Sequence, residues 1–321
     1  MSVDVPVSPA AAPDAAGATD RDSWLALMDD IGEEAGYFQP LGDAHWAFFS
    51  DQSPVLLVTF ESLAAIRATP GQMPAGHAIA AAKGWSHLCL IAEGDTWYRD
   101  AAVYRYFDRL VDDAFFEDFD RVVFYGSGMG GYAACAYSVT APGATVLALQ
   151  PRATLDPAVA GWDRRDMAKR RLSFTDRYGF APDMTEGTGE VFVLHDPAQP
   201  LDAMHAALFT KPYVTQLRCR HLTRRADLPQ ALTQMNILSQ LIEAACEGRM
   251  SAPLFHSLWR GRRQYGPYLR TLWALTEGRP AREIMVCRSV SQRLNAPRFR
   301  KRLAELESAA AAGPATSSAT L

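Results

Sequence analysis

The residues with the clearest chemical potential are Gly126-Ser127-Gly128-Met129-Gly130-Gly131-Tyr132, between the β-branched run Val122-Val123-Phe124-Tyr125 and the helix-favouring stretch Ala133-Ala134-Cys135-Ala136-Tyr137-Ser138. A strand, a sharp glycine-rich turn and a helix form the setting in which a nucleophile is held on strained backbone for acyl transfer. Glycines suit that setting, because the turn residue is forced to positive φ and the helix must pass close to the strand. G-x-G-x-G spacing after a strand also invites a dinucleotide reading. That fingerprint, however, needs G-x-G-x-x-G and an acid at the end of the next strand, where Val146–Leu149 ends in Gln150. No Walker lysine follows the turn, so no nucleotide cofactor is expected. Cys89, Cys135, Cys219, Cys246 and Cys287 are odd in number and contain no C-x-x-C pair, which argues against a disulfide framework and against a metal site. Reduced thiols and a cytoplasmic location are the expectation.

The elements that must position this turn are legible as short apolar runs. Val55–Phe60, His87–Ile91, Val122–Tyr125, Thr145–Leu149, Val191–Leu194 and Val214–Leu217 read as six strands, most of them buried on both faces. Helical stretches over Met73–Lys83, Ala101–Phe116, Gly131–Val139, Leu201–Phe209 and Leu228–Ala245 alternate with them. Regular alternation predicts a doubly wound, mostly parallel sheet covered on both faces, because right-handed crossovers place the helices there.

Outside this region the composition changes. Residues 1–21 are rich in Ala, Pro, Val and Asp, lack the basic start and apolar core of a signal peptide, and predict a disordered leader. Residues 308–321, mainly Ala, Gly, Ser and Thr, predict a disordered tail. The α/β part is expected over 22–246, with a cap insertion at 156–184, and a helical appendage over 247–307 broken at Gly266-Pro267, Gly278-Arg279-Pro280 and Ala296-Pro297. No run reaches the roughly eighteen apolar residues of a membrane span. A net charge of -4 hides an asymmetry: between Arg249 and Arg302 the cations far outnumber the acids Glu277 and Glu283. Docking of this basic segment onto the acidic α/β part, or onto a protein partner, is expected. Nucleic acid is not, because no recognition motif accompanies the cations.

The segment from Ser53 to Ala245, and Tyr125–Tyr132 above all, resembles the α/β-hydrolase superfamily, more narrowly its bacterial members with an elbow like Y-G-S-S-M-G-G-Y. Some of these are linked to surface-glycan modification or accessory secretion. The resemblance implies an α/β-hydrolase-like fold and puts the nucleophile at position 128, where this chain has Gly128. It also implies an acid at Asp196, after the strand Val191–Leu194, and a histidine at His221, after the strand Val214–Leu217. Asp202 reads instead as a cap of the helix beginning near Ala203. Arg218, Arg220, Arg224 and Arg225 around His221 would favour the neutral imidazole. The oxyanion donors would be the backbone N–H of Met129 and one from the turn after Phe60, at Glu61 or Ser62. Ser127 is the neighbouring hydroxyl, displaced from the nucleophile position by one residue.

Two functions follow as expectations. The favoured one is a catalytically degenerate hydrolase that binds an acyl, glycan or peptide-type ligand, or a protein partner. The alternative is an active esterase-like hydrolase or acyltransferase using Ser127 or a water activated by His221. Trp97 and Tyr98, just past the strand His87–Ile91, are candidate walls of a ligand pocket, although core packing also accounts for them. Arg164, Arg165, Lys169, Arg170, Arg171 and Arg177 in the cap segment would favour an anionic ligand.

Overall fold

Continuous apolar runs are stable as strands only where helices cover both faces, and that is where this chain places them. A computed structural model describes residues 14–224 and 227–311. Its one sheet contains β1 (Gly36–Pro40), β2 (His45–Ser50), β3 (Val55–Ser62), β4 (Ser86–Ala92), β5 (Arg121–Ser127), β6 (Thr145–Leu149), β7 (Glu190–His195) and β8 (Val214–Arg218). The spatial order is β1-β2-β4-β3-β5-β6-β7-β8. β2 runs antiparallel to β1 and β4, and every other pair is parallel. The fold is thus a doubly wound, mostly parallel α/β sheet with a C-terminal helical part.

β4, with no β-branched residue except Ile91, is buried along its whole length. On one face, the helices Ala101–Asp112 and Met129–Tyr137 build a core around Phe60, Phe107, Phe124 and Tyr137. On the other face, Leu228–Gln234 and Leu238–Cys246 pack against Leu57, Val123, Leu147 and Phe192. The predicted single helix Leu228–Ala245 is split here because Asn236 takes a left-handed φ of 54°. The sequence reading missed β1 and β2, an aromatic antiparallel pair at the sheet edge. All five cysteines are buried and unpaired, and among the described residues no helix is long and apolar enough to cross a membrane.

The termini hold more structure than composition suggested. Residues 14–20, assigned to the leader, are tied down: Ala15 N–H donates to Gly71 O at 3.0 Å, Gln72 Nε2 donates to Ala18 O at 2.8 Å, and Asp20 caps the helix Arg21–Ala35. Residues 308–311, assigned to the tail, continue the helix Pro297–Ala311. The remainder of leader and tail lies outside the described residues. In the appendage, Phe255 and Trp259 enter the core beneath β8, whereas Leu269, Cys287, Val290 and Phe299 form a cluster of their own. The ion pairs of residues 252–311 are local, Arg288–Glu307 and Arg302 with Glu283 and Glu305. The appendage therefore docks on its own α/β part through apolar contact, and the expected electrostatic docking is not made among the described residues.

Candidate functional site

β3 has β4 on one side and β5 on the other, so the chain changes winding direction between β3 and β5. In open α/β sheets a crevice forms at the carboxyl ends of strands where the winding reverses. The turn after β5 lies at that position. Gly128 adopts φ 56° and ψ -114°, and the helix Met129–Tyr137 starts at the next residue. Its N–H donates to Leu149 O at 2.9 Å, and its carbonyl accepts from Tyr132 N–H at 3.0 Å. Positive φ with this ψ costs any residue with a Cβ.

The four glycines of the turn are required for different reasons. A Cβ on Gly126 would overlap the Gly130 carbonyl, one on Gly130 would overlap Phe60 O, and one on Gly131 would lie 2.8 Å from Leu149 O. At Gly128 a Cβ would meet nothing within 4 Å. The flanking glycines thus let helix and strands touch, whereas position 128 is empty above and constrained only in its torsion. Ser127 is the last residue of β5, paired with Leu149. Strand alternation puts its side chain on the same face as Tyr125, toward the helices Leu228–Gln234 and Leu238–Cys246.

Asp196 follows β7 directly and is fully buried. The structure brings it together with His221, but through the backbone. Oδ1 accepts from His221 N–H at 2.9 Å and from Ala198 N–H at 2.8 Å, while Oδ2 accepts from Thr223 N–H at 3.1 Å and Thr223 Oγ1 at 2.9 Å. The His221 ring Nδ1 is buried without a hydrogen-bond partner. The carboxylate holds the turn after β8, in which His221 takes a left-handed φ of 67°, and the acid–imidazole bond expected of a triad is not formed. Burial lowers the imidazole pKa, Asp196 opposes that, and Arg220 and Arg224 add to it.

Trp97 and Tyr98, both at left-handed φ, are core residues that reach the turn from β4. Trp97 N–H donates to Met129 Sδ at 3.0 Å, and its ring lies against Tyr132, Phe174 and the Arg152 guanidinium. Its indole N–H is buried and has no partner. Tyr98 is fully buried, donates its hydroxyl to Glu61 O at 3.0 Å and accepts from Tyr137 Oη at 2.6 Å through its carbonyl. Trp97 thus stands beside the turn, whereas Tyr98 braces the core beneath it.

The Glu61 side chain is engaged by the helix Ala75–Lys83. Its carboxylate accepts from Ala75 N–H at 2.7 Å and Gly76 N–H at 3.0 Å, capping the helix Ala75–Lys83. Burial raises its pKa, against the lowering effect of those two N–H groups. His87 and Cys89 lie on the adjacent strand with ligand atoms within 4.8 Å of Glu61 and of each other, the one trio of metal-ligating type found among the described residues. The Thr59 hydroxyl lies between them, donating to Glu61 Oε1 at 3.0 Å and accepting at 2.9 Å from His87 Nε2, whose proton is assigned from this chain of partners. That chain engages the carboxylate and His87 Nε2, while His87 Nδ1 is buried with no partner among the described residues.

A second polar cluster at the carboxyl edge was not anticipated. Asp163 and Asp202, both buried, are bridged by Arg165, whose Nη2 lies 2.7 Å from Asp163 Oδ2 and whose Nη1 lies 2.5 Å from Asp202 Oδ1. Arg152 adds a contact to Asp166 at 3.0 Å, and Gln150 Nε2 donates to Asp202 Oδ2 at 2.7 Å. Asp202 is therefore a network member and not a helix cap. His205 accepts from Ala153 N–H at Nδ1 and donates from Nε2 to Asp163 at 3.0 Å, so neither ring nitrogen is free to act as a base. Burial first, and the neighbouring arginines next, hold its pKa down to about 4. Burial would raise the Asp163 carboxyl, but hydrogen bonds from Arg165 and His205 pull it below the usual carboxylate range. Several cap cations are thereby committed within the protein: Arg165 to this network, Arg170 to the carbonyls of Ala160 and Gly161, and Arg177 to Asp108. The anion preference expected of this segment loses those charges. Beside the network, Gln150, Gln199, Asp202, Thr223 and Asp227 line a cleft of about 780 Å³.

No family model matches the chain, and no curated protein matches it. Solved structures do. The chain is similar to the glycosylation-associated Gap123 complex of Streptococcus agalactiae, with 13% identity and TM-score 0.41, over 64% of this chain and 46% of that one. It is similar to a putative esterase from Staphylococcus aureus, with 15% identity and TM-score 0.42, over 70% and 93% of the two chains. Est1E from Butyrivibrio proteoclasticus matches with 18% identity and TM-score 0.41, over 66% and 96%.

Proposed function

We propose that this protein is a catalytically silent α/β-hydrolase-like binder, working in the cytoplasm, whose elbow receives an acyl, glycan or peptide-type ligand without cleaving it and whose helical appendage engages a protein partner. One observation carries the reading. Gly128 holds the strained torsion of a nucleophile position, with open space above it and no side chain to fill that space. The first-turn N–H groups of the helix, Met129 among them, have no intrahelical acceptor and are available to a carbonyl or carboxylate oxygen. These backbone donors do not depend on a nucleophile.

The competing reading, catalysis by Ser127 or by a His221-activated water, needs a base oriented toward the elbow. The Asp196 carboxylate is occupied by backbone donors, so nothing it contributes orients the His221 ring. Treatment with a fluorophosphonate probe and peptide mapping tests the choice. The expected result is no adduct on Ser127 and p-nitrophenyl ester turnover identical in wild type and His221→Ala. A serine adduct at Ser127, or turnover that falls in His221→Ala, overturns the proposal.

A further inference from the structure

The helices Gly266–Ala274, Pro280–Arg293 and Pro297–Ala311 pack around a small apolar cluster of their own and leave a groove of about 740 Å³ between them. Its floor is apolar. Leu269 and Phe299 are nearly buried, and Trp273 lies 4.9 Å from Phe299, its indole N–H fixed on Glu283 Oε1 at 2.8 Å. Arg270 and Arg298 line the same groove.

The electrostatics of this surface are unbalanced. Of the two acids that line the groove, Glu277 and Glu283, the second is already neutralised by Arg302 at 2.7 Å. Arg263, Arg270, Arg279, Arg282, Arg298 and Lys301 are exposed and have no carboxylate partner among the described residues. Of these, Arg270 and Arg298 stand in the groove lining, where an acidic surface brought against them is favoured.

We propose that this groove receives an amphipathic acidic helix from a partner protein, with apolar side chains over Leu269, Trp273 and Phe299 and carboxylates against Arg270 and Arg298. The inference rests on the reading that the appendage carries a partner, and it is independent of what the elbow binds. A groove walled by three helices with an apolar floor suits a helix whose anchors recur at i, i+3, i+4 and i+7. A nucleic-acid strand suits it less well, because the floor is apolar and few cations among the described residues, Arg270 and Arg298, stand free in the groove lining to meet phosphates.

The test uses the full chain and a fluorescein-labelled helical peptide of about four turns, with leucines on one face and glutamates on the other. Anisotropy should report binding that weakens as salt rises. Arg270→Glu/Arg298→Glu, which reverses the rim, and Ala274→Trp, which fills the groove while leaving the charges, should each weaken it by about tenfold or more. Variants whose melting curves match the wild type make the comparison valid. Three results would overturn the proposal: equal binding by a peptide with serines in place of the leucines, tighter binding by a uridine oligomer, or unchanged affinity in both variants. Self-association of the chain that excludes the peptide would also overturn it, by assigning the groove to a second copy.

Discussion

Substituting the glycines of the turn one at a time separates torsion from space. In Gly128→Ala the new Cβ meets no atom within 4 Å, so the cost is the backbone strain at φ 56° and ψ -114°. Strain in such regions costs about 1–3 kcal/mol, and the reduced freedom of the unfolded chain returns about 0.4–1 kcal/mol of it. The net expectation is a loss of about 0.5–2 kcal/mol. Gly130→Ala adds a steric term, because its Cβ would overlap the carbonyl of Phe60 in β3. Backbone on both sides must move, and overpacking of this kind costs about 1–3 kcal/mol or more. Urea denaturation of both variants, followed by circular dichroism and tryptophan fluorescence, should therefore rank Gly130→Ala as clearly the more damaging. Gly128→Ser should lose about as much as Gly128→Ala, since its hydroxyl also enters open space, and should stay unlabelled by fluorophosphonate, because Asp196 is bound to backbone and does not orient the His221 ring. If Gly128→Ala costs as much as Gly130→Ala, the space above 128 is filled. If it costs nothing, the torsion is not enforced. An adduct on Gly128→Ser that disappears when His221→Ala is added would show that the ring serves position 128 and would overturn the reading of Asp196.

Three further outcomes follow from the buried polar groups. Asp196→Ala leaves the N–H groups of Ala198, His221 and Thr223 without their acceptor and should cost about 2–4 kcal/mol, with faster amide exchange over 219–223; unchanged exchange there would refute the role given to this carboxylate. The His205 pKa is held near 4 against an ordinary 6.5, so the stability of its neutral form is present above pH 6.5 and is lost as pH falls toward 4. His205→Gln should lose less stability than wild type across that interval, and parallel urea-denaturation profiles would contradict the assignment. Glu61 is shifted the other way, so its contribution is full below the ordinary 4.5 and declines as pH rises through the raised value. Glu61→Gln should abolish that decline, and an identical pH profile in both proteins would rule it out.

The parallel part of the sheet was legible because β3, β5, β6 and β7 are short apolar runs with turn residues between them, and strands buried on both faces look like that. β1 and β2 were not, since Gly36-Tyr37-Phe38-Gln39-Pro40 alternates weakly and His45–Ser50 carries its β-forming tendency in aromatics. The turn was readable because its chemistry is local: glycine spacing and the following helix are contiguous in sequence. Asp196 and His221 were identified as neighbours, but their mode of contact depends on the left-handed backbone at 221, for which no residue type there gives a signal. Glu61 capping a helix that begins at Ala75, and Asp163 meeting His205 across 42 residues, are pairings made by the fold and are invisible in any short window.

The open space above Gly128 has a genetic consequence. Glycine codons ending in a pyrimidine differ from a serine codon by one base, so from such a codon a single transition places a hydroxyl on the left-handed backbone of position 128. The cost lies in folding stability and not in rebuilding the turn. The hydroxyl is one step away, whereas bond breaking would also need a base turned toward it, and the margin of stability in the rest of the chain decides how often the first step survives.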